Sequence, residues 1–283
     1  MPHGLENART GEADASRAER ALFARMTLAC RAATAESTAG RFLTWEHAGL
    51  FAVLATGPDL AFLSTVSGVT PENVAAAIDM AGAPVWNGVA PTVIVSMDDD
   101  REVAAAFLAA EMDRGPDRAL AIRRLAPPDD GPVPEVSRAT DAGAFLDVLL
   151  AGYEVTGPLA RFIAAEHGHP AVRRFLLSEG GIPIAAAAMT MHGDVAVLGG
   201  ASTVPEHRGR GAQSRLIAHR VRLAVEHGCT VAVATVRPGS VSAKNLRRAG
   251  FRIHRRATWV PHQRCAPFID ADGIGLHVSR LWR

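Results

Sequence analysis

The sequence predicts a mixed α/β fold in which two consecutive segments each place helices against a mixed central sheet. Helix-like and strand-like stretches alternate along the chain, and 48% of its 283 residues are hydrophobic, enough for each segment to bury a core. A break at residues 126–134 holds four prolines and a glycine, which neither a helix interior nor a central strand accommodates. We therefore predict a linker at 128–134 between segments 1–127 and 135–283.

The first segment is expected to open with a long helix and to continue with short strands and helices. Two apolar stretches flank the Gly-Pro-Asp sequence at residues 57–59, which indicates a hairpin. Thr70 precedes Pro71, a pattern typical of a helix start. The expected elements are a helix at 15–35, strands at 50–55 and 60–65, a helix at 70–80, a strand at 92–96, a helix capped by Asp98–Asp100 and ending near 113, and a strand at 118–125.

The second segment alternates in the same way. It is expected to place three strands, separated by glycine-rich turns, before a long amphipathic helix. The expected elements are a strand at 135–139, helices at 141–152 and 158–167, strands at 173–178, 182–190 and 195–203, a helix at 211–227, a strand at 230–236, a helix at 240–248 and a strand at 251–260.

Charge and cysteine content argue against several classes of function. Thirty basic residues balance 29 acidic ones, and a net charge of +1 disfavours nucleic acid as a partner. Three widely spaced cysteines make neither a disulfide framework nor a metal site, so we expect no metal. The first 25 residues contain no apolar signal-peptide core, and no apolar run approaches the ~20 residues that cross a bilayer. We expect a soluble, cytoplasmic protein with no membrane contact.

The stretch from Ala201 to Ser214 carries the clearest chemical signal. A strand ends there, and a loop rich in glycine and arginine leads directly into a helix. Glycines let backbone N–H groups turn inward, and a helix N-terminus adds unpaired N–H donors and a positive dipole end. Arg208 and Arg210 add positive charge suited to phosphate. The stretch predicts a pyrophosphate cradle, and a glycine-rich turn with solvated arginines is the alternative.

A dinucleotide-binding turn is a second alternative, because Gly209-Arg210-Gly211 resembles the start of Gly-x-Gly-x-x-Gly. The third glycine is replaced by Ser214, and the next strand ends at Arg237 where such a site needs an acidic residue. The turn also follows a series of antiparallel-looking strands. These observations disfavour the alternative.

The stretch resembles the acetyl-CoA motif of the GNAT N-acetyltransferases, Gln/Arg-x-x-Gly-x-Gly/Ala. Arg208 fits its first position and Gly211 its fourth, whereas Gln213 departs from the sixth. A second family mark follows, in which a strand and a short helix precede Gly250-Phe251. The motifs span about residues 196–251, and the order of elements extends the resemblance back to about residue 135.

The resemblance implies acetyl-CoA as co-substrate and an acyl transfer to an amine. In this family the pantetheine arm hydrogen-bonds to a splayed strand, the pyrophosphate lies on the glycine-rich loop, and the next helix lies beside the thiol. The cofactor-binding residues expected on this basis are Ala201, Ser202, Thr203, Arg208, Gly209, Arg210, Gly211, Ala212, Gln213, Ser214, Ser242 and Asn245.

The proton-transfer residues are less well defined. Many relatives place a tyrosine acid where this chain has Leu246, and the only tyrosine, Tyr153, lies in the region that usually borders the acceptor. For the base we rank Glu154 first and His192 second. Glu206 and His207 come next, as residues more suited to support the loop, and a bound water remains an alternative.

The first segment lacks a glycine- and arginine-rich cradle, yet its closing elements resemble the end of the same fold. We therefore expect a degenerate GNAT-like half that does not bind CoA and that walls the acceptor pocket, with Trp45, Glu46 and His47 within reach. The expected function is N-acetylation of a small-molecule amine by a monomer or homodimer. The alternative is a non-catalytic acyl-CoA-binding sensor or scaffold module.

Overall fold

The computed structural model describes residues 3–57, 59–96, 101–126, 133 and 135–262, and of residues 3–12 the backbone only. The predicted cap at Asp98–Asp100 and all of the predicted linker at 128–134 except Val133 lie outside the described residues. The helices are α1 (His3–Ala35), α2 (Val74–Ala81), α3 (Arg101–Ala109), α4 (Ala142–Tyr153), α5 (Gly157–Gly168), α6 (Ala212–Glu226) and α7 (Val241–Arg248). The strands are β1 (Phe42–His47), β2 (Leu50–Ala55), β3 (Thr65–Val69), β4 (Thr92–Val95), β5 (Met112–Arg124), β6 (Val136–Arg138), β7 (Arg173–Glu179), β8 (Ile182–His192), β9 (Val195–Thr203), β10 (Val231–Val236) and β11 (Arg252–Pro261).

The predicted mixed sheet flanked by helices is confirmed. The described strands form one sheet in the order β1-β2-β3-β4-β11-β5-β10-β9-β8-β7-β6. Counted outward from the central β11–β5 pair, each side has an antiparallel pair, a parallel pair and two antiparallel pairs, and β6 adds one more strand on its side. The arrangement of strand directions is therefore the same on both sides of the centre.

The two halves of the chain exchange strands at this centre. β5, from the first half, pairs with β10 and β11 of the second half, and β11 pairs with β4 of the first. The halves therefore share one hydrogen-bonded sheet, and the last strand of each half lies between strands of the other.

Two local predictions in the first half were wrong. Residues 60–65 are not the second strand of a hairpin: Leu60 is buried, 61–63 form a 3₁₀ turn, and β2 pairs with β1 and β3. The helix expected to reach residue 113 ends at Ala109, because Glu111 takes a positive φ of 56° and the chain turns into β5. Apolar content alone did not distinguish these short segments.

Helices cover both faces of the sheet. Ala15, Ala18 and Ala21 of α1 pack on Leu120, Ile122 and the valines of β9 and β10, while α6 and α7 pack on the opposite face of β10. Small alanine side chains let α1 lie close to the strands. Helix α1 contacts strands of both halves as well as α5, so it bridges the halves beside the sheet centre. Within the described residues, no helix combines the length and apolar character that a membrane crossing requires.

Candidate functional site

Strands β9 and β10 separate partway along their length. They pair only from Val195 with Val231 to Val197 with Val233, after which β9 follows β8 and β10 follows β5. The remaining backbone edges of the two strands face a gap. Such a gap leaves backbone N–H and C=O groups available to an extended ligand.

A bulge in β9 shapes this gap. The register against β8 shifts between Ala186 and Ala188, and Gly200 takes a φ of 58°. A Cβ on Gly200 would lie 1.9 Å from Nε2 of His167, and a Cβ on Gly199 would lie 2.9 Å from Cζ of Arg25. The two glycines therefore let a histidine and an arginine reach the strand backbone.

Arg25, Glu166 and His167 form a polar cluster against β9. The guanidinium of Arg25 donates from Nε (2.8 Å) and Nη2 (2.7 Å) to Oε1 of Glu166, and its Nη2 lies 3.5 Å from Nε2 of His167. Nδ1 of His167 lies 2.8 Å from the carbonyl oxygen of Ile163. A carbonyl can only accept, so Nδ1 carries the hydrogen and the neutral ring keeps an acceptor at Nε2.

Electrostatics fix the charge states in this cluster. Burial raises the pKa of Glu166, but the charge of Arg25, the charge that His167 carries when it is protonated and the hydrogen bond from Arg25 together outweigh burial and hold that pKa below its usual value. Burial lowers the pKa of His167, with smaller contributions from Arg25 and Arg174, while Glu166 opposes the shift. At neutral pH the cluster therefore contains a carboxylate, a guanidinium and an uncharged imidazole.

A cavity of about 340 Å³ passes through the gap between the strands. Gln213 and Ser242 line it on the α6 side, and Arg25 and His167 line it on the α1 side. On the α1 side it continues across the sheet centre into the first half. In the first half its lining includes Phe62, Thr65 and Arg118.

The glycine-rich loop and the start of α6 form an open, N–H-lined surface. Gly209 and Gly211 have φ values of 81° and 82°, and a Cβ on either would meet nothing within 4 Å. Helix α6 begins at Ala212, so the N–H groups of its first turn have no acceptor within the helix. Ser214 and Arg210 are exposed on this surface. This arrangement fits a phosphate group.

The side chain of Arg208 points toward α4 and not onto the open surface where its charge would face a phosphate. Its backbone N–H donates to the carbonyl oxygen of Pro205, and its side chain donates to the carbonyl oxygens of Thr203 (3.2 Å) and Gly152 (2.9 Å) and to Oε2 of Glu154 (3.2 Å). Arg208 therefore ties the loop to the C-terminal end of α4, while the glycines and the first turn of α6 form the open surface.

Contacts with α7 explain why Gln213 can stand where the family motif has glycine or alanine. Nε2 of Gln213 donates to Oγ of Ser242 (2.9 Å), and Oε1 accepts from Nδ2 of Asn245 (2.6 Å). The amide therefore points away from the loop and links the two helices that border the gap. Leu246, buried one turn along α7, lines the cavity where many relatives have a tyrosine.

Helix α4 packs tightly on the end of β9. Oγ of Ser202 donates to the carbonyl oxygen of Leu149 at 2.9 Å. A Cβ on Gly152 would lie 2.4 Å from Oγ of Ser202. This contact places Tyr153, the next residue, against Ala201. Burial raises the pKa of Tyr153 to about 12, with the charge of Glu166 adding to the shift, so the hydroxyl remains protonated at neutral pH.

Comparison of the sequence with protein families identifies one family that matches part of the chain. The family model described as "Acetyltransferase (GNAT) family" matches residues 144–251. The match supports a relationship between this segment and the GNAT acetyltransferase family. No curated protein matches the chain.

Solved GNAT structures share the fold of most of the chain. A GCN5-related N-acetyltransferase from Kribbella flavida matches with a TM-score of 0.55 and 19% identity over 82% of this chain and 94% of its own. A GCN5-related N-acetyltransferase from Sphaerobacter thermophilus matches with a TM-score of 0.53 and 12% identity over 75% of this chain and 79% of its own. An acetyltransferase of the GNAT family from Colwellia psychrerythraea matches with a TM-score of 0.50 and 14% identity over 78% and 85%. The shared fold therefore extends beyond the 144–251 segment.

The structure brings together only some of the predicted catalytic residues. Tyr153 lines the cavity, whereas Glu154 is exposed at the end of α4 and pairs with Arg208. His192 lies opposite Val195 at the start of β9, the end farthest from the loop, with Nε2 3.0 Å from Oγ1 of Thr190. Neither Glu154 nor His192 lines the cavity.

The remaining predicted residues lie around the site. Glu206 is exposed, Nδ1 of His207 is 3.9 Å from Oε2 of Glu179, and neither Glu206 nor His207 lines the cavity. The ring of Trp45 packs on Trp86 at 5.2 Å between centroids. Trp45, Glu46 and His47 do not line the cavity.

Sequence reasoning missed the Arg25, Glu166 and His167 cluster. The glycine pair at 199–200 was a usable signal, since adjacent glycines in a strand indicate a bulge or a close approach. Which side chains approach it depends on α1 and α5 meeting at β9. Within the described residues, no three potential metal ligands lie together.

Proposed function

We propose that the protein transfers an acetyl group from acetyl-CoA to the amine of a small molecule. The observation that carries the proposal is that the open loop leads directly into the first turn of α6, where Gln213 lines the cavity that passes through the gap between β9 and β10. Bound acetyl-CoA would supply the activated acyl group. Gly209, Gly211 and the first turn of α6 would hold its phosphates, and the free edge of β9 would hold its arm.

His167 is suited to accept the proton of the acceptor amine. Its uncharged ring keeps an acceptor at Nε2, and that atom lies against the bulge at Gly200. Tyr153 is suited to return a proton to the departing sulfur, because its hydroxyl remains protonated and the residue contacts Ala201. The two residues replace the base candidates Glu154 and His192, which lie outside the cavity, and the tyrosine that is absent at Leu246.

We infer that the first half is a degenerate copy of the same fold. The shared order of strand directions on both sides of the sheet centre supports this, with β3, α2 and β4 in the positions of β9, α6 and β10. In that half the turn from β3 to α2 is Thr70-Pro71-Glu72-Asn73, which contains no glycine. Asn73 accepts a bond from the backbone of Thr70 there, and Glu72 disfavours phosphate.

Two matched substitutions on α6 test the cradle. Ser214 and Ala218 are both exposed, one turn apart. A carboxylate at 214 suits the helix N-terminus but repels phosphate, so S214E should preserve stability and weaken acetyl-CoA binding about tenfold or more, or about 1.4 kcal/mol. A218E, one turn farther along, should bind as the unmodified protein does. Isothermal calorimetry with acetyl-CoA measures both.

Catalysis is tested by thiol release from acetyl-CoA in the presence of an amine panel. Turnover of at least one small amine, reduced in S214E, supports the enzyme. Tight acetyl-CoA binding without turnover of any amine would instead support the sensor or scaffold module. Absence of acetyl-CoA binding by the unmodified protein would refute both.

A further inference from the structure

Two arginines face each other across the two central strands. Arg118 of β5 lies directly opposite Arg256 of β11, and both line the cavity on the α1 side. Like charges at directly opposed positions destabilise a sheet. The arrangement therefore concentrates positive charge at the place where the two halves exchange strands.

Only one of these cations has a counter-charge among the described residues. Nη1 of Arg256 donates to Oε1 of Glu19 at 2.6 Å, and both side chains are 4% exposed. Arg118 donates from Nη2 to the carbonyl oxygen of Phe62 at 3.3 Å, and no carboxylate of the described chain lies within 4.0 Å of it. A neutral carbonyl leaves the charge of Arg118 uncompensated.

The surroundings of Arg118 favour an anion. Burial lowers the pKa of Arg118 to about 10, and the neighbouring charge of Arg256 adds to the shift. Even so, the guanidinium is charged at neutral pH. The hydroxyl-bearing residues Thr65, Ser67 and Thr235 also line the cavity. A guanidinium that shares a cavity with such groups can bind a carboxylate through two parallel hydrogen bonds, which an uncharged group does not offer with the same charge complementarity.

We propose that the acceptor is a small amine that also carries a carboxylate, and that Arg118 binds this carboxylate. The inference rests on the proposed acyl transfer and names its substrate class. The amine would then lie toward His167 and Gly200, and the carboxylate toward the sheet centre, at two parts of one cavity. A volume of about 340 Å³ suits a ligand of amino-acid size.

The test compares paired ligands that differ only in the carboxylate. In the presence of CoA, we would measure melting-temperature shifts and dissociation constants for N-acetyl amino acids and for the corresponding N-acetylated decarboxylated amines. The unmodified protein should bind at least one carboxylated member about tenfold more tightly than its partner. R118Q should lose that preference, and R118K should recover part of it. R255Q, at an exposed arginine next to Arg256 and outside the cavity, is the control.

Turnover of amino acids and of their decarboxylated amines provides the second readout. R118Q should raise KM for the carboxylated member and leave KM for the decarboxylated amine unchanged. Equal or tighter binding of the decarboxylated members throughout the panel would overturn the proposal, as would a preference that survives in R118Q. Either result, with acetyl-CoA binding intact by calorimetry, leaves the proposed acyl transfer standing, so the two failures are distinguishable.

Discussion

At the scale of single residues, His167 gives the sharpest pH prediction. The ring lies beside Arg25 of α1 and Glu166 of α5, and Arg174 of β7 donates to the backbone carbonyl oxygen of His167. Burial, together with the charges of Arg25 and Arg174, outweighs Glu166 and holds the pKa of His167 below the ordinary value of about 6.5. The neutral form accepts the proton, so with a weakly basic acceptor kcat should be constant above pH 6.5 and fall as the pH drops through the lowered pKa. H167Q should lower kcat about 100-fold and remove this dependence.

The matched control for this prediction is H169Q, two residues farther along the chain. His169 lies outside the cavity and its Nδ1 accepts from the backbone of Ala171 at 3.2 Å. Nuclear magnetic resonance titration of the ring protons, assigned by their loss in H167Q, checks the direction of the pKa shift. A kcat in H167Q within threefold of the unmodified protein would exclude His167 as the proton acceptor.

The local geometry of residues was predictable from the sequence only where it depends on neighbours in the chain. The glycines at 209 and 211 and the helix that follows could be found because loop, charge and helix start are contiguous. Arg25 and Glu166 are 141 residues apart, and nothing local indicates that they meet. The direction of the Arg208 side chain also depends on a distant partner, the carbonyl oxygen of Gly152 at the end of α4.

At the scale of elements, the packing of α4 on β9 positions the site. A Cβ on Gly152 would lie 2.4 Å from Oγ and 2.7 Å from Cβ of Ser202, so neither helix nor strand has room for it. G152A should lower the free energy of unfolding by about 1–3 kcal/mol and displace Tyr153 from Ala201. Urea denaturation measures the first effect.

Gly168, at the end of α5, offers the comparison for this substitution. A Cβ there would meet nothing within 4 Å, so G168A should cause no loss of stability. Equal unfolding free energies for G152A and G168A would show that α4 does not pack on β9 as described.

Most elements were predicted within a few residues, including the short apolar strands β2, β4 and β10, whereas the apolar stretch at 60–65 was not. The three strands from 173 to 203 and the helix after them agree with β7, β8, β9 and α6. The residues at 60–65 carry the apolar character of a strand, yet Leu60 is buried in a core cluster beneath α1 and the next residues form a turn. A buried turn and a buried strand both require apolar side chains, so the apolar composition of residues 60–65 could not distinguish a turn from a strand.

At the scale of the whole molecule, the exchange of β5 and β11 makes each half depend on the other. The pairing partners of strands far apart in the chain could not be predicted from the sequence, because the backbone groups of any exposed strand edge can pair with those of any other. Each half alone would leave β10 or β4 with an unpaired edge, and the second half alone would expose the apolar face of β9 and β10 that α1 covers. The cavity, whose lining comes from both halves, also requires both.

This dependence predicts the outcome of cutting the chain. A protease site introduced within residues 128–134 should allow cleavage without separation, because the β4–β11 and β5–β10 pairings hold the two pieces together. Size-exclusion chromatography should show one species at the mass of the intact protein, with acetyl-CoA affinity within twofold of the uncut form, and denaturant should be needed to separate the pieces. Segments 1–127 and 135–283 produced singly should fail to form folded monomers by circular dichroism. Two folded, separately eluting monomers after cleavage would contradict the exchanged strands, since a sheet closed within each half would not need its partner.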